Sequence, residues 1–366
     1  MGAHGLKAGT PALESVGAIT FGPDDVLFVA DNRRAVIAAI DVADTAPDGP
    51  AEPFDLDELD TKLAAYLGCE TGDVSIKDLA VHPRTHNAYL SVMRGKGDAA
   101  VPVIVKVDRH DGSIAEVALD GIAFAEVALD DAVAADDPRL DVQLPDDPNE
   151  GEDVKFGERT FRLLRAPLRN ATVTDMSYVD GLLLVAGISN EEFASTLRRV
   201  PFPFTGEVAD NTLEIFHVSH GAWETAAPIR TFVPYEGGAS ILASYTCTPL
   251  VHFPIGDLAA GTHAKGRTVA ELGSGNQPLD MVAFTQDGEQ HLLVSNSRHP
   301  LMKIACKDID AQAPLTEPQA PVGVSFQTPD LSGISRMDNL NGSYVLALQR
   351  DDDGHRHLRS LKTASL

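Results

Sequence analysis

Apolar and polar residues alternate along residues 279–306, LDMVAFTQDGEQHLLVSNSRHPLMKIAC, in a rhythm that predicts three short strands. An acidic residue opens the first strand, an Asp-Gly turn leads into the second, and the second ends at Ser295-Asn296-Ser297. Weaker copies of this unit recur. Unit one is residues 18–42, with a GPDD turn between two apolar runs, and unit two is residues 78–108. Unit three starts at Asp175, DMSYVDGLLLVAGISN, and its third strand is expected at residues 212–218, TLEIFHV. Unit four emerges because residues 240–253 align without gaps on residues 291–304. Its first strand is then IRTFV, with Arg230 where other units carry Asp. Unit five is the opening stretch, and unit six covers residues 333–348, followed by HLRSLK.

The equivalent positions 18, 78, 175, 230, 280 and 333 lie 50–60 residues apart, except for one gap of 97. Modules of this size, built from short strands and tight turns, predict an all-β protein with a single β-propeller domain spanning residues 1–366. Six units predict six blades, and the long gap leaves room for a seventh. The chain ends in a third strand, so the segment around residues 6–8 is expected to supply the outer strand that closes the ring and removes open sheet edges.

Two insertions interrupt the pattern, at about residues 44–73 and 130–160. The first contains FDLDELDTKLAAYLGC, whose apolar residues recur at the spacing of one helix face behind an acidic first turn. The second is rich in Asp, Pro and Glu and reads as a long acidic loop, preceded by FAEVALD (124–130) as the outer strand of unit two.

Because the first strand of a propeller unit lines the channel and the second returns antiparallel, first-strand starts and second-strand ends share one face. That face collects Asp78, Asp175, Arg230 and Asp280 with Asn32, Asn190, Tyr245 and Asn296, and Cys247 and His299 just beyond. Loops on a rigid scaffold are where ligand sites form. Carboxylate and amide oxygens at Asp78, Asp175, Asp280 and Asn296 are ligands for Ca2+ or another divalent cation, which could polarise a bound oxygen. Two other readings stand beside this one. The Asp residues could cap backbone N–H groups with Arg230 as counter-charge, or Asp175 and Asp280 could act as acid–base catalysts.

The remaining chemistry is sparse. The pairing HVSH (217–220) places two imidazoles near each other, and HPRTH (82–86) reads as a solvated turn. Cys247 has no identified base partner, and the three widely spaced cysteines form no CxxC zinc motif. No GxSxG elbow and no glycine-rich phosphate loop occurs, so no nucleotide cofactor is indicated. A net charge of −25 argues against nucleic acid and anionic membrane surfaces as partners. No apolar run reaches the ~20 residues of a membrane span, so a soluble protein is expected, cytoplasmic or exported with its leader absent from the chain.

The repeats GPDDVLFVADNRRAVIAAIDV and DGEQHLLVSNSRHPLMKI resemble the NHL-type repeats of six-bladed propellers and the broader group of SMP-30-like gluconolactonases, paraoxonases and strictosidine synthases. Lactonase-like members of that group hold a catalytic cation with a Glu, Asn and Asp set. The resemblance implies matching parts for Asp78, Asp175, Asp280 and Asn296, with Glu14 as the early Glu. Arg230 departs from that set. Residues 170–204 and the YTCTPLV and GNQPLDMV stretches also resemble bacterial propellers of unassigned function. The expectation is therefore a propeller that binds a partner protein or small ligand at its loop-rich face. The alternatives are a metal-dependent hydrolase of the lactonase or phosphotriesterase type and, more distantly, a redox propeller with a prosthetic group.

Overall fold

The computed structural model describes residues 3–45, 52–145, 150–273, 275–318 and 322–366. Strands dominate, and among the described residues the α-helical segments are Leu59–Leu67 and Cys306–Ala311. Among the described residues no helix is long and apolar enough to cross a membrane.

Each of the six units is an antiparallel meander whose first strand faces a central channel. These inner strands are Ile19–Phe21, Val74–Val81, Asp175–Val179, Thr231–Tyr235, Pro278–Gln286 and Ile334–Asn341. Each lies against the next in a closed circuit, the arrangement of a β-propeller. Their second strands are apolar on both faces, as in Val26–Asp31 and Leu182–Ile188, because each sheet is packed on both sides by its neighbours. One apolar cluster fills each junction. For example, Phe28 and Ile37 of unit one meet Met176 and Val185 of unit three, and Val282 and Leu293 of unit five meet Met337 and Val345 of unit six.

The order around the circuit differs from the order in the chain. Unit one touches units two and three, and unit two closes the circuit against unit six, giving the order one, three, four, five, six, two. The reason is an interleaved connection. Strand Ile122–Ala128, which contains most of FAEVALD, returns past unit two to pair with Val36–Asp41 of unit one. It is therefore not the outer strand of unit two, whose fourth strand is Ile114–Glu116.

The N-terminal strand Lys7–Gly9 pairs with Ile122–Ala128 and so completes unit one, not unit six as expected from the sequence. The outer edge of unit six is instead covered from within the first insertion. Leu56 and Leu358 exchange backbone hydrogen bonds at 3.0 Å, and the Ser360 hydroxyl donates to the Phe54 carbonyl at 2.6 Å. Beside this seam, Leu59 and Leu63 of the inserted helix pack between units two and six. The insertion thus seals the ring.

Three further expectations change. The third strand of unit three is Ser195–Pro201, while Thr212–His217 belongs to a small separate sheet with Ala222–Glu224 and His263–Lys265. The acidic insertion is not a bare loop: Leu140–Gln143, Glu152–Phe156 and Arg159–Pro167 form a three-stranded sheet. Its charges pair across strands, Arg162 with Asp153 and Arg165 with Glu152, so its acidity is compatible with pairing. His82 is fully buried, its Nδ1 accepting the N–H groups of Arg84 and Thr85, so HPRTH is solvated only at Pro83 and Arg84 and is packed at His82 and Thr85. Residues 46–51 and 146–149 of the two insertions lie outside the described residues.

Candidate functional site

An inner strand next to a channel leaves one edge of backbone N–H groups without a ladder partner, and a short acceptor side chain can satisfy them. Asp does this at four junctions. Asp78 accepts the N–H of Leu79 and, across the junction, that of Ile19, both at 2.8 Å. Asp175 accepts Met176 and Phe232 at 2.7 and 2.8 Å. Asp280 accepts Met281 and Met337 at 2.7 and 2.6 Å, and Asp338 accepts Asn339 and Val81, both at 2.7 Å. Each carboxylate therefore fastens its own strand to the neighbouring unit.

The same carboxylates carry unusual electrostatics. Burial is the main cause that pushes Asp175 up to about 7, with repulsion from Asp78 adding to it. Burial also raises Asp280 well above the usual carboxylate range, and repulsion from Asp78 and Asp175 adds again. Asp78 and Asp338 are raised by burial to about 6, Asp78 being held back by Arg336 and by its backbone donors. Near neutral pH Asp175 is shared between charged and protonated forms, able to accept or donate hydrogen bonds.

Arg336 is the cation at this ring. Its Nε lies 4.0 Å from Asp78 Oδ1 and donates to the Lys77 carbonyl at 2.7 Å, while Nη1 donates to Ser335 at 2.7 Å. Arg230, expected to neutralise the ring, points elsewhere. It grips Asp141 with both terminal nitrogens, at 2.8 and 2.7 Å, with both side chains buried. Asp141 belongs to the inserted acidic sheet, so this fork ties that sheet over the channel. Gln277 accepts the Leu144 N–H at 3.1 Å and holds the same sheet at a second point.

Beneath the inserted sheet lies a cavity of about 620 Å³, lined by Asp78, Asp175, Arg230, Asp280, Arg336 and Asn32 together with Gln143, Glu150 and Leu164 of the insertion. The structure thus brings together five of the residues expected at the face. Asn32 is committed: its amide donates to the Asn170 and Val173 carbonyls and its oxygen accepts the Val173 N–H. Asn296 and His299 line a separate cavity of about 230 Å³ with Arg298 and Arg350. Asn296 is held there by Asn276 and by the Val294 and Pro300 carbonyls. Asn190 is exposed and accepts from Arg139, Tyr245 is buried in the core, and Cys247 stands beside His217. Glu14 is not among the residues that line either cavity.

Sequence reasoning missed Arg336 and Asp338, because unit six aligned on Gly333. Two register shifts, between Ile334 and Arg336 and between Asn339 and Asn341, displace the strand from the repeat. Aligning the Asn341-Gly342 turn on Asp287-Gly288 places Ile334 at the position of Asp280 and Arg336 two residues beyond it, so the turn alone does not recover either residue.

No family model and no curated protein matches the chain. Similar solved structures include the Cps50 (Swd1) β-propeller domain of Myceliophteria thermophila, 11% identical, covering 95% of this chain and 84% of that one, with a TM-score of 0.37. A putative oxidoreductase (glucose dehydrogenase) of Thermus thermophilus is 15% identical over 98% of this chain and 100% of that one, with a TM-score of 0.35. The PQQ-bound aldose sugar dehydrogenase of Streptomyces coelicolor is 10% identical over 97% and 96%, with a TM-score of 0.35.

Proposed function

We propose that the chain is one six-bladed β-propeller domain that binds a small hydroxyl-rich molecule in the channel-mouth cavity, with the inserted sheet as its roof. The observation that carries this reading is the meeting of Asp78, Asp175 and Asp280 under that roof, in a cavity of about 620 Å³. That volume falls within the ~300–1,000 Å³ of small-molecule sites. Of the lining arginines, Arg230 turns both terminal nitrogens to Asp141, and Arg336 donates to the Lys77 and Ser335 carbonyls. The carboxyl groups keep lone pairs beyond their two backbone donors, and Asp175, part-protonated near neutral pH, matches hydroxyl groups, which also donate and accept.

The test is calorimetric titration and thermal melting of the full chain at pH 6 with an aldose and an aldonolactone as probes. Saturable binding, weakened about two- to tenfold in Asp175→Asn, is expected, since a hydrogen bond of the neutral acid contributes about 0.5–1.5 kcal/mol. Absence of binding by either probe would sink the hydroxyl-ligand reading.

The mutual repulsion of Asp78, Asp175 and Asp280 supports a second reading, in which a divalent cation sits among them. Asn296, fixed in the adjoining cavity, drops out of that ligand set. A cation there would lower all three carboxyl pKa values and could polarise a bound carbonyl oxygen. A melting temperature that rises with Ca2+ and falls with chelator, in wild type but not in Asp280→Asn, distinguishes this reading from the first.

A further inference from the structure

A second cluster of metal-ligating side chains lies away from the channel, where the small separate sheet meets unit four. His217 ends strand Thr212–His217, His220 lies in the turn that follows, and Glu224 ends the returning strand Ala222–Glu224. Glu271 ends strand Arg267–Glu271 of unit four, and Cys247 sits in the turn after Ser240–Ser244. One ligand atom from each of His217, His220 and Cys247 lies within 4.8 Å of the others.

Glu224 orients both imidazoles. Its two oxygens take the Nδ1 positions, at 2.9 Å from His217 and 2.6 Å from His220, which leaves Nε2 of each ring as the ligating atom. A carboxylate behind a histidine is the usual second layer of a metal site, because it fixes the tautomer and raises ligand basicity. Here one carboxylate serves two rings, whose centroids are 3.9 Å apart.

The independent pointer is Glu271. It is fully buried, yet both of its carboxylate oxygens lack a hydrogen-bond partner, and so does Nε2 of the buried His217. Glu271 Oε1 and His217 Nε2 lie 3.2 Å apart without hydrogen-bond alignment. Two ligand atoms of a tetrahedral zinc ion, each at ~2.0–2.1 Å from the metal, lie about 3.3 Å apart, which matches this separation. His217 is thus the one charged partner of Glu271, at a distance with no aligned hydrogen bond, and a metal ion between the two would supply the bonds that these buried atoms do not make.

We propose that His217, His220, Cys247 and Glu271 form a Zn2+ site, with Glu224 as the residue that positions both imidazoles. A mixed sulfur, nitrogen and oxygen set suits a borderline-soft ion over Ca2+ or Mg2+, which take oxygen ligands. Four protein ligands make a closed, structural site, which joins the small sheet to unit four. The backbone supports the placement of the thiol: Cys247 and Thr248 hold φ of 68° and 58°, and the turn is fixed by the Cys247 N–H to Asn276 and the Thr248 hydroxyl to Gly273.

The test uses the full chain, stripped with chelator and titrated with Zn2+ against a chromophoric competitor. One ion per chain and a higher melting temperature with Zn2+ are expected. Co2+ in its place should give the sulfur-to-metal charge-transfer absorption of a thiolate ligand. Cys247→Ser should remove that absorption and weaken Zn2+ by at least about 100-fold, and Glu224→Gln should weaken it about 10–100-fold while the absorption persists. Wild-type protein that takes up no Zn2+, or whose Co2+ form lacks the charge-transfer band, overturns the proposal without recourse to any variant. Zn2+ affinity unchanged in folded Cys247→Ser overturns it as well.

Discussion

Arg230→Met is expected to lower folding stability by about 3–5 kcal/mol, the largest loss anticipated for a single substitution near the channel. The reason is the partner left behind. Asp141 is buried with Arg230 and takes both of its terminal nitrogens, so removing the guanidinium strands a carboxylate whose remaining side-chain donor is Gln143. Burial alone would raise Asp141, yet its pKa is held below the usual carboxylate value by its hydrogen bonds and by the charge of Arg230. Urea unfolding of Arg230→Met, Asp141→Leu and the double variant would measure the pair. The double variant should recover much of the loss, because replacing a buried pair with apolar groups is often near neutral. Equal losses in Arg230→Met and the double variant would contradict this account. The same substitution removes one of the two points that hold the inserted sheet over the channel, so probe binding at the mouth should weaken in parallel.

The second large effect is a pH dependence. Asp175 has its folded-state pKa raised from 3.8 to about 7, so the folded protein holds that proton more tightly than the unfolded chain does. Such a group stabilises the fold fully below its unfolded pKa and loses that contribution as pH rises through its folded pKa. The window therefore runs from about pH 4 to about pH 7. A shift of this size corresponds to roughly 4 kcal/mol, and partial contact with channel solvent reduces it to about 2 kcal/mol. The stability difference between wild type and Asp175→Asn should change by that amount between pH 4 and pH 8, in favour of the variant at high pH. Asp78 and Asp338, raised to about 6, shift the wild-type curve in the same direction. A difference that stays flat across the window would contradict the raised pKa. Wild-type data alone would mislead, because acids such as Asp57 and Asp137 are held low by arginine partners and contribute with the opposite sign.

The strands of this fold were legible because their signals are local. Alternation located the inner hairpins of units one, two, three and five, helped by the GPDD turn of unit one and the Asp-Gly turns of units three and five, and the match of residues 240–253 to 291–304 exposed unit four. The ring of Asp78, Asp175 and Asp280 followed from the same alignment, and the structure adds that each carboxylate holds two backbone N–H groups. What stayed hidden depends on distant pairing. Nothing near Ile122–Ala128 says that it returns to unit one in preference to extending unit two, because both edges would accept an apolar strand. Arg230 aligned with the ring, but its partner Asp141 comes from an insertion 89 residues away. Asp338 and Arg336 were masked by register shifts that break the repeat. The His217, Cys247 and Glu271 cluster has no motif spacing, since three separate elements contribute to it.

The interleaved order of units one and two also sets an order of assembly. As the chain emerges, units one and two can pair early, while units three to six are added on the far side of unit one. The ring is then left open at a single seam, between units two and six. Leu56 and Leu358, which stitch that seam, are about 300 residues apart, so its stitches wait for nearly the whole chain. Until then the segment at Leu56 and the flank of unit two stay open, the kind of exposed edge that chaperones shield. The seam is also where the completed ring should open first. In hydrogen exchange, the amides of Leu56 and Leu358 should lose protection ahead of those in Leu182–Ile188, which is paired on both edges.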